Sequence, residues 1–356
     1  MKRSTATRLA PVLFWLFVLV GSYILFELAA RYFAPFALEI TTELDAALDV
    51  VDQEFGGDID KFVARESDPA QVQPHPILGW DKPPVTYDSC AACSEPPLVI
   101  LVLGDSVTEG HGVRVGAEDY TFLLSRLVRD RPVRIVNAGV GGFGVDQMVR
   151  KAEMLIDDVR PDVIVFAYIA HNLLRPGRQF IYLRNRPAAR QTDIGVIWEE
   201  PGSDADYIAR YRNYRDRFAN GVWLGDFIWD NRRYYAPYLY RDFYGAVFDA
   251  NIRQMRTLAA ANTADLYFIR LPQSFRFHND SELIKLIDDA LDRQAATPGH
   301  PFSVPSIRDC VVRDLAADGR SFDIMGFHPN AAGHQAYAQC IFDVVLGQPR
   351  ADVGAE

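Results

Sequence analysis

The chain has 356 residues, 49% hydrophobic and 24% charged, which suits one large domain with a full core plus accessory segments and excludes a mainly disordered protein. Its formal net charge is −10 and its pI about 5.2. With no basic run interleaved with aromatics, it has no surface for neutralising phosphates, and nucleic acid is not an expected partner.

At the N-terminus, Lys2, Arg3 and Arg8 precede an apolar run from Leu9 to Ala30 whose only charge is Glu27. Such a run matches the hydrocarbon thickness of a bilayer, and the cationic flank favours the cytoplasmic side. Residues 1–38 are therefore read as a flank and a single transmembrane anchor in the cytoplasmic membrane, with the rest facing the periplasm or cell exterior. The rival is a cleaved signal peptide with a weak site at Val20 and Ser22, but the apolar run continues well past that point.

Ile40 to Glu54 carries apolar residues at helical spacing and is read as a stalk, broken at Gly56 to Asp58. The segment His75-Pro-Ile-Leu-Gly-Trp80 through Pro84 is rich in turn formers and predicts an extended lead-in rather than packed helix or strand. Residues 39–95 are accordingly assigned to stalk and lead-in, and 96–348 to the main domain. Cys90, Cys93, Cys310 and Cys340 form an even set in a chain expected to be exported, so disulfides are expected, with three connectivities open. The spacing Cys90-Ala-Ala-Cys93 suits a redox pair, half a zinc site or a closed loop. Pro96 and Pro97 follow where a redox motif would open a helix, and nothing completes a zinc set, so a structural loop is preferred.

Leu98 to Leu103 is a continuous apolar run ending in Gly104, the pattern of a parallel strand buried on both faces. Tyr120 to Arg129 predicts a helix, Val133 to Val136 a strand, Asp146 to Val159 a helix and Val163 to Tyr168 a strand. Ala246 to Ala261 adds a helix, Asp265 to Leu271 a strand ending at Pro272, and Glu282 to Asp292 an amphipathic helix. This alternation predicts an α/β fold of three layers, helices on both faces of a flavodoxin-like parallel sheet, with the site at the strands' carboxyl ends. The stretch 173–244, full of Arg, Tyr, Trp and Asp without a clear period, is too long for an ordinary loop. It is read either as a substrate-shaping insertion or as a peripheral decoration packed on its own aromatics.

Four constellations fall at the ends of these elements. Gly104-Asp105-Ser106-Val-Thr108 puts a serine on a tight turn after the strongest strand. A serine hydroxyl is a poor nucleophile until a base and donors for an oxyanion are supplied. Asn137-Ala-Gly-Val-Gly-Gly142-Phe-Gly144 lets backbone approach a ligand and aim N–H groups at developing charge. His171-Asn172 follows the third strand, and His328-Pro-Asn330 precedes Gly333 and an apolar helix. Asp105 is read as bracing its own turn, and Glu109 and Asp146 as solvent-facing or turn-supporting. His111 and His171 are read as structural histidines.

Together these blocks resemble the SGNH hydrolase superfamily, the GDSL-type esterases, over roughly Pro97 to Leu346 with the insertion excluded. Leu101-Val-Leu-Gly-Asp-Ser106-Val-Thr-Glu-Gly110 is the most specific match. The resemblance implies an SGNH hydrolase fold and a serine esterase acting on carboxylic esters without metal or organic cofactor. Ser106 would be the nucleophile, His328 the general base, and the N–H groups of Ser106 and Gly142 with the Asn172 amide the oxyanion hole. Where the family usually places Asp, three residues before the His, this chain has Met325. Asp323, five before it, is the expected acid, a backbone carbonyl being the alternative. Leu173 stands where the family often has Asp after the block-three Asn. The expected partners are an ester or O-acylated sugar or glycan, and the membrane through the N-terminal helix. Transfer of the acyl group to an exported polysaccharide is the first alternative, and a non-catalytic envelope scaffold or glycan-binding protein the second.

Overall fold

The computed structural model describes residues 14–25, 46, 48–66, 73–90, 93–177, 180–181, 184–193, 195–203, 205–206, 208–209, 211–213, 233, 237–273, 281–319 and 328–347. In chain order the strands are β1 (Gln73–His75), β2 (Gly79–Asp81), β3 (Val85–Asp88), β4 (Leu98–Gly104), β5 (Val133–Gly139), β6 (Val163–Tyr168), β7 (Phe180–Ile181), β8 (Arg184–Asn185), β9 (Ala188–Thr192), β10 (Gly195–Glu199) and β11 (Asp265–Arg270). The helices used below are α1 (Ile59–Glu66), α2 (Ser106–Glu109), α3 (Tyr120–Leu127), α4 (Val145–Val159), α5 (Arg241–Asn262), α6 (Ser281–Ala295), α7 (Arg308–Ala317) and α8 (Ala331–Ile341).

The main sheet has the order β11-β6-β4-β5-β3. β11, β6, β4 and β5 run parallel, and β3 is antiparallel to β5 in the register Val85↔Asn137 to Asp88↔Arg134. The central strand β4 shows why both faces must be covered. Leu101 and Leu103 sit in one apolar cluster, and Ile100 and Val102 in the other, as the two-residue period of a strand requires. On the first face α4 contributes Met148, Val149, Ala152 and Ile156, and α5 contributes Val247, Phe248, Ile252 and Met255. On the second lie Leu124 of α3, Val311 of α7 and Tyr337 of α8. Burying each large side chain is worth about 1.5–3 kcal/mol relative to exposure, so the amphipathic stripes of these helices decide where they lie. The three layers and the parallel core of the sheet are as the apolar runs predict.

The lead-in is a correction. Residues 73–81 form the antiparallel hairpin β1–β2, and Val85–Asp88 is an edge strand of the main sheet. Leu78 and Trp80 are buried in the first-face core. The strand was masked by its length of four residues and by the prolines before it, which an edge position tolerates because one side of its ladder is unpaired. The sheet thus begins ahead of Pro96 and is mixed rather than wholly parallel.

Of the stalk, residues 48–55 are helical, and Leu48 and Val51 are fully buried. Within 173–244 the described residues form two hairpins, β7–β8 and β9–β10. Cys90 is bonded to Cys93 and Cys310 to Cys340. The second bond ties α7 to α8, and the 30-residue span it closes carries His328. Residues 14–25 are helical, but among the described residues no helix is long and apolar enough to cross a membrane.

Candidate active site

β4 ends at the point where the chain order of the sheet reverses, with β6 on one side and β5 on the other, the position at which open α/β sheets hold ligands. There the chain turns sharply into α2. Asp105 is its N-cap, the Oδ1 atom accepting from Val107 N at 3.0 Å, and Ser106 is the first helical residue. Gly104 is required at the turn because a Cβ there would run into the Thr108 hydroxyl. Asn137 at the end of β5 clamps this helix, donating from Nδ2 to Thr108 O at 2.7 Å and to Thr121 Oγ1 at 2.8 Å.

Ser106 Oγ lies 2.9 Å from His328 Nε2 across 222 residues of sequence. His328 is placed by the turn before α8, whose N-cap Asn330 accepts from Gly333 N at 3.1 Å. With Nε2 as acceptor the imidazole carries its proton on Nδ1, the tautomer a general base needs. Asp323, the residue expected to orient that nitrogen, lies outside the described residues.

Two backbone N–H groups lie at this turn and on the loop beside it. Ser106 N–H heads α2, where first-turn amides have no helical acceptor, and Gly142 N–H makes no hydrogen bond among the described residues. Gly142 has φ of +80°, and a Cβ placed on neighbouring Gly141 would lie 3.9 Å from Ser106 Cβ, so this loop packs directly against the nucleophile.

Asn172 is held on both ends of its amide. Its Oδ1 accepts from Ile169 N at 2.7 Å, and its Nδ2 donates to Asp105 Oδ2 at 2.8 Å and to Phe143 O at 3.0 Å. Both amide protons are committed, so Asn172 serves an oxyanion only by sharing one of them. It ties together the serine turn and the glycine loop. Arg175 reinforces the same joint, with Nη1 3.1 Å from Asp105 Oδ2 and 2.6 Å from Phe143 O. Asp105 thus braces its own turn as expected, and in addition forms a buried ion pair.

Three further readings change. Asp146 is wholly buried, its two oxygens 2.6 and 2.7 Å from Arg186 Nη2, rather than solvent-facing. Glu109 is paired with Lys82 at 2.7 Å, with both side chains under 20% exposed. His111 belongs to the site, its ring centroid 4.4 Å from that of His328. His171 lies in a short 3-10 turn, Ala170–Leu173. Only the position of His111 directly after the serine block could have flagged it.

Burial, then the neighbouring His111, lower the pKa of His328 below the ordinary imidazole value, opposed in part by Asp105. A lowered pKa keeps the base neutral to more acidic pH, so kcat/KM should fall only below the ordinary imidazole midpoint and stay level through neutrality. Replacing His111 by Gln removes the neighbouring imidazole whose electrostatic effect lowers the His328 pKa, so that pKa should rise. The expected result in a pH–rate profile is an acid limb moved to higher pH with the plateau kept. An unmoved limb would show that His111 does not act on this base.

The family model of the GDSL-like Lipase/Acylhydrolase family matches residues 102–336. The chain belongs to that family, and its reaction class is hydrolysis of ester bonds. No curated protein matches the chain. Among solved structures, TesA aligns with a TM-score of 0.42 at 14% identity, over 70% of this chain and 98% of its own. A catalytic mutant of Axe2, an acetylxylan esterase from Geobacillus stearothermophilus, aligns at 0.37 and 13%, over 68% of this chain and 92% of its own. A GDSL-like lipase from Bacteroides thetaiotaomicron VPI-5482 aligns at 0.38 and 13%, over 71% and 92%. Resemblance at this level says nothing of substrate.

Proposed function

We propose that the chain is a membrane-anchored serine esterase that removes O-acyl groups from sugars or glycans outside the cytoplasm. The observation that carries the mechanism is the 2.9 Å approach of Ser106 Oγ and His328 Nε2, near the Ser106 and Gly142 N–H groups that make no hydrogen bond among the described residues. Ser106 Oγ bonds to the ester carbonyl carbon while His328 Nε2 takes the hydroxyl proton. The carbonyl oxygen becomes an oxyanion held by the Ser106 and Gly142 N–H groups. His328 returns the proton to the leaving alcohol as the carbon–oxygen bond breaks, leaving an acyl-serine. Water, deprotonated by the same imidazole, releases the acid and restores the serine.

The anchor is supported by the cationic flank and apolar run of residues 1–38, and by the exposure of Phe14, Trp15, Phe17, Leu19 and Leu25 along helical residues 14–25. The sugar reading is supported by the aromatic- and Arg-rich composition of 173–244, since flat aromatic faces suit pyranose rings. The test is full-length protein assayed on p-nitrophenyl esters of increasing chain length and on O-acetylated oligosaccharides, with and without an unacetylated glycan acceptor. Faster release of acetate from the oligosaccharides than from simple long-chain esters is expected. A preference for long acyl chains would remove the glycan reading, and acetyl transfer outrunning hydrolysis would replace the esterase by a transferase.

A further inference from the structure

The segment His75-Pro-Ile-Leu-Gly-Trp80 precedes the stretch matched by the family model, yet it is built tightly against the site. His75 Nδ1 accepts from Ile77 N at 3.2 Å and Leu78 N at 3.1 Å, which folds the turn between β1 and β2. Gly79 has φ of +83°, and a Cβ there would collide with the Asn185 carbonyl, so only glycine lets β2 lie against β8. Leu78 O accepts from Gln147 Nε2 at 2.7 Å. One turn further along α4, the Lys151 ammonium is held by the Asp81 carboxylate and, at 2.6 Å, by Lys82 O. Hairpin and α4 are therefore bolted together, and α4 is the helix entered directly from the glycine loop.

Trp80 crosses from this frame to the loop. It is 2% exposed, its ring is edge-on to Phe143 with centroids 5.9 Å apart, and its Nε1–H donates to Gly141 O at 2.9 Å. The Gly141 carbonyl and the Gly142 N–H belong to one peptide group. In a planar trans peptide these two point in opposite directions, so holding the oxygen toward the indole holds the N–H away from it. Glycine on both sides would otherwise leave that plane free to rotate. An indole N–H is a donor only, so a flipped plane would bring N–H against N–H in a buried place.

We propose that Trp80 is a positioning residue for the oxyanion hole, locking the 141–142 peptide so that Gly142 N–H is aimed before substrate arrives. The inference rests on the reading of Gly142 N–H as an oxyanion donor. Aiming a donor in advance is where such sites gain most, because no reorganisation is then needed as charge develops. It also assigns a function to residues far upstream of the serine block.

The test is Trp80→Phe in the full-length protein, which keeps an aromatic ring against Phe143 while removing the N–H together with part of the indole's volume. For p-nitrophenyl acetate, kcat should fall roughly ten- to a hundredfold, part of the loss seen when an oxyanion donor is removed outright. Affinity for phenylboronic acid, which forms a tetrahedral adduct on the serine, should weaken by a similar factor. KM and the acid limb of the pH profile should stay near wild type, while the melting temperature falls because the smaller ring leaves a void in the core. Unchanged kcat and boronate affinity would overturn the role, as would a loss of kcat with boronate affinity unchanged. If Trp80→Phe does not fold, the wild-type indole N–H resonance of Trp80 decides: it should move on boronate binding, and indifference to boronate would overturn the role. Wild-type protein that neither hydrolyses the ester nor binds boronate would overturn the oxyanion reading and this inference with it. A wild type competent in both, matched by Trp80→Phe, would overturn the inference alone.

Discussion

Ser106→Ala is expected to lower kcat for ester hydrolysis by about 10^4–10^6-fold, and His328→Ala by a comparable factor. The two side chains meet at 2.9 Å and share one proton, so removing either removes the same step. Without the imidazole, the hydroxyl must lose its proton to water as it attacks. Without the hydroxyl, the imidazole has nothing to activate except water itself. The double variant should therefore be scarcely slower than either single one, because groups acting as a unit are not additive. Rate above the uncatalysed reaction should persist in all three, since the Ser106 and Gly142 N–H groups belong to the backbone and survive both substitutions. Steady-state kinetics on p-nitrophenyl acetate, with circular dichroism as the check on folding, reads this directly. Independent, multiplying losses in the double variant would mean that serine and histidine serve different steps. A Ser106→Ala protein as fast as wild type would remove the nucleophile.

The second large effect concerns stability. Asp146 and Arg186 are both fully buried, and the guanidinium Nη2 reaches both carboxylate oxygens. Arg186 also donates to Arg175 O and, at 3.3 Å, to Gln147 Oε1, so this one side chain joins β8's hairpin to α4 and to the wall of the glycine loop. Arg186→Met would leave a carboxylate in the core without its counter-charge, and Asp146→Leu would leave the guanidinium. Each should cost about 3–5 kcal/mol in denaturant unfolding. The double variant Asp146→Leu/Arg186→Met buries no charge, and should recover most of that loss because the desolvation cost of a buried pair offsets much of its attraction. Single variants that lose only about 1 kcal/mol, as an exposed pair would, would show that water reaches this joint.

Much of this architecture was legible in residue order. The run Leu98 to Leu103 could only be a strand covered on both sides, because no face of it is polar. The apolar stripe of Asp146 to Val159 could only be a helix lying on a sheet. The serine, glycine and histidine blocks stood out because each carries a residue type that a turn or a reacting centre needs. Leu48 and Val51, by contrast, read as a stalk and are buried, since helical spacing reveals that a stripe will be covered and is silent on what covers it.

What residue order could not disclose is which distant groups meet. Trp80 and Gly141 are 61 positions apart, Asp146 and Arg186 are 40 apart, and Arg175 lies 70 from Asp105. A proline-rich stretch looked like lead-in because turn formers report local backbone, whereas its worth lies in one indole hydrogen bond made across the fold. Asn172 carried the right side chain for an oxyanion donor, yet only the folded chain shows both amide protons spent on Asp105 and Phe143. By itself, then, the sequence determined the layers of the fold, the serine turn and the histidine that answers it, because hydrophobic period and turn chemistry are local properties. The tertiary structure alone decided the partner of each buried polar group, because such partners are chosen by which surfaces the packed layers bring within hydrogen-bond reach.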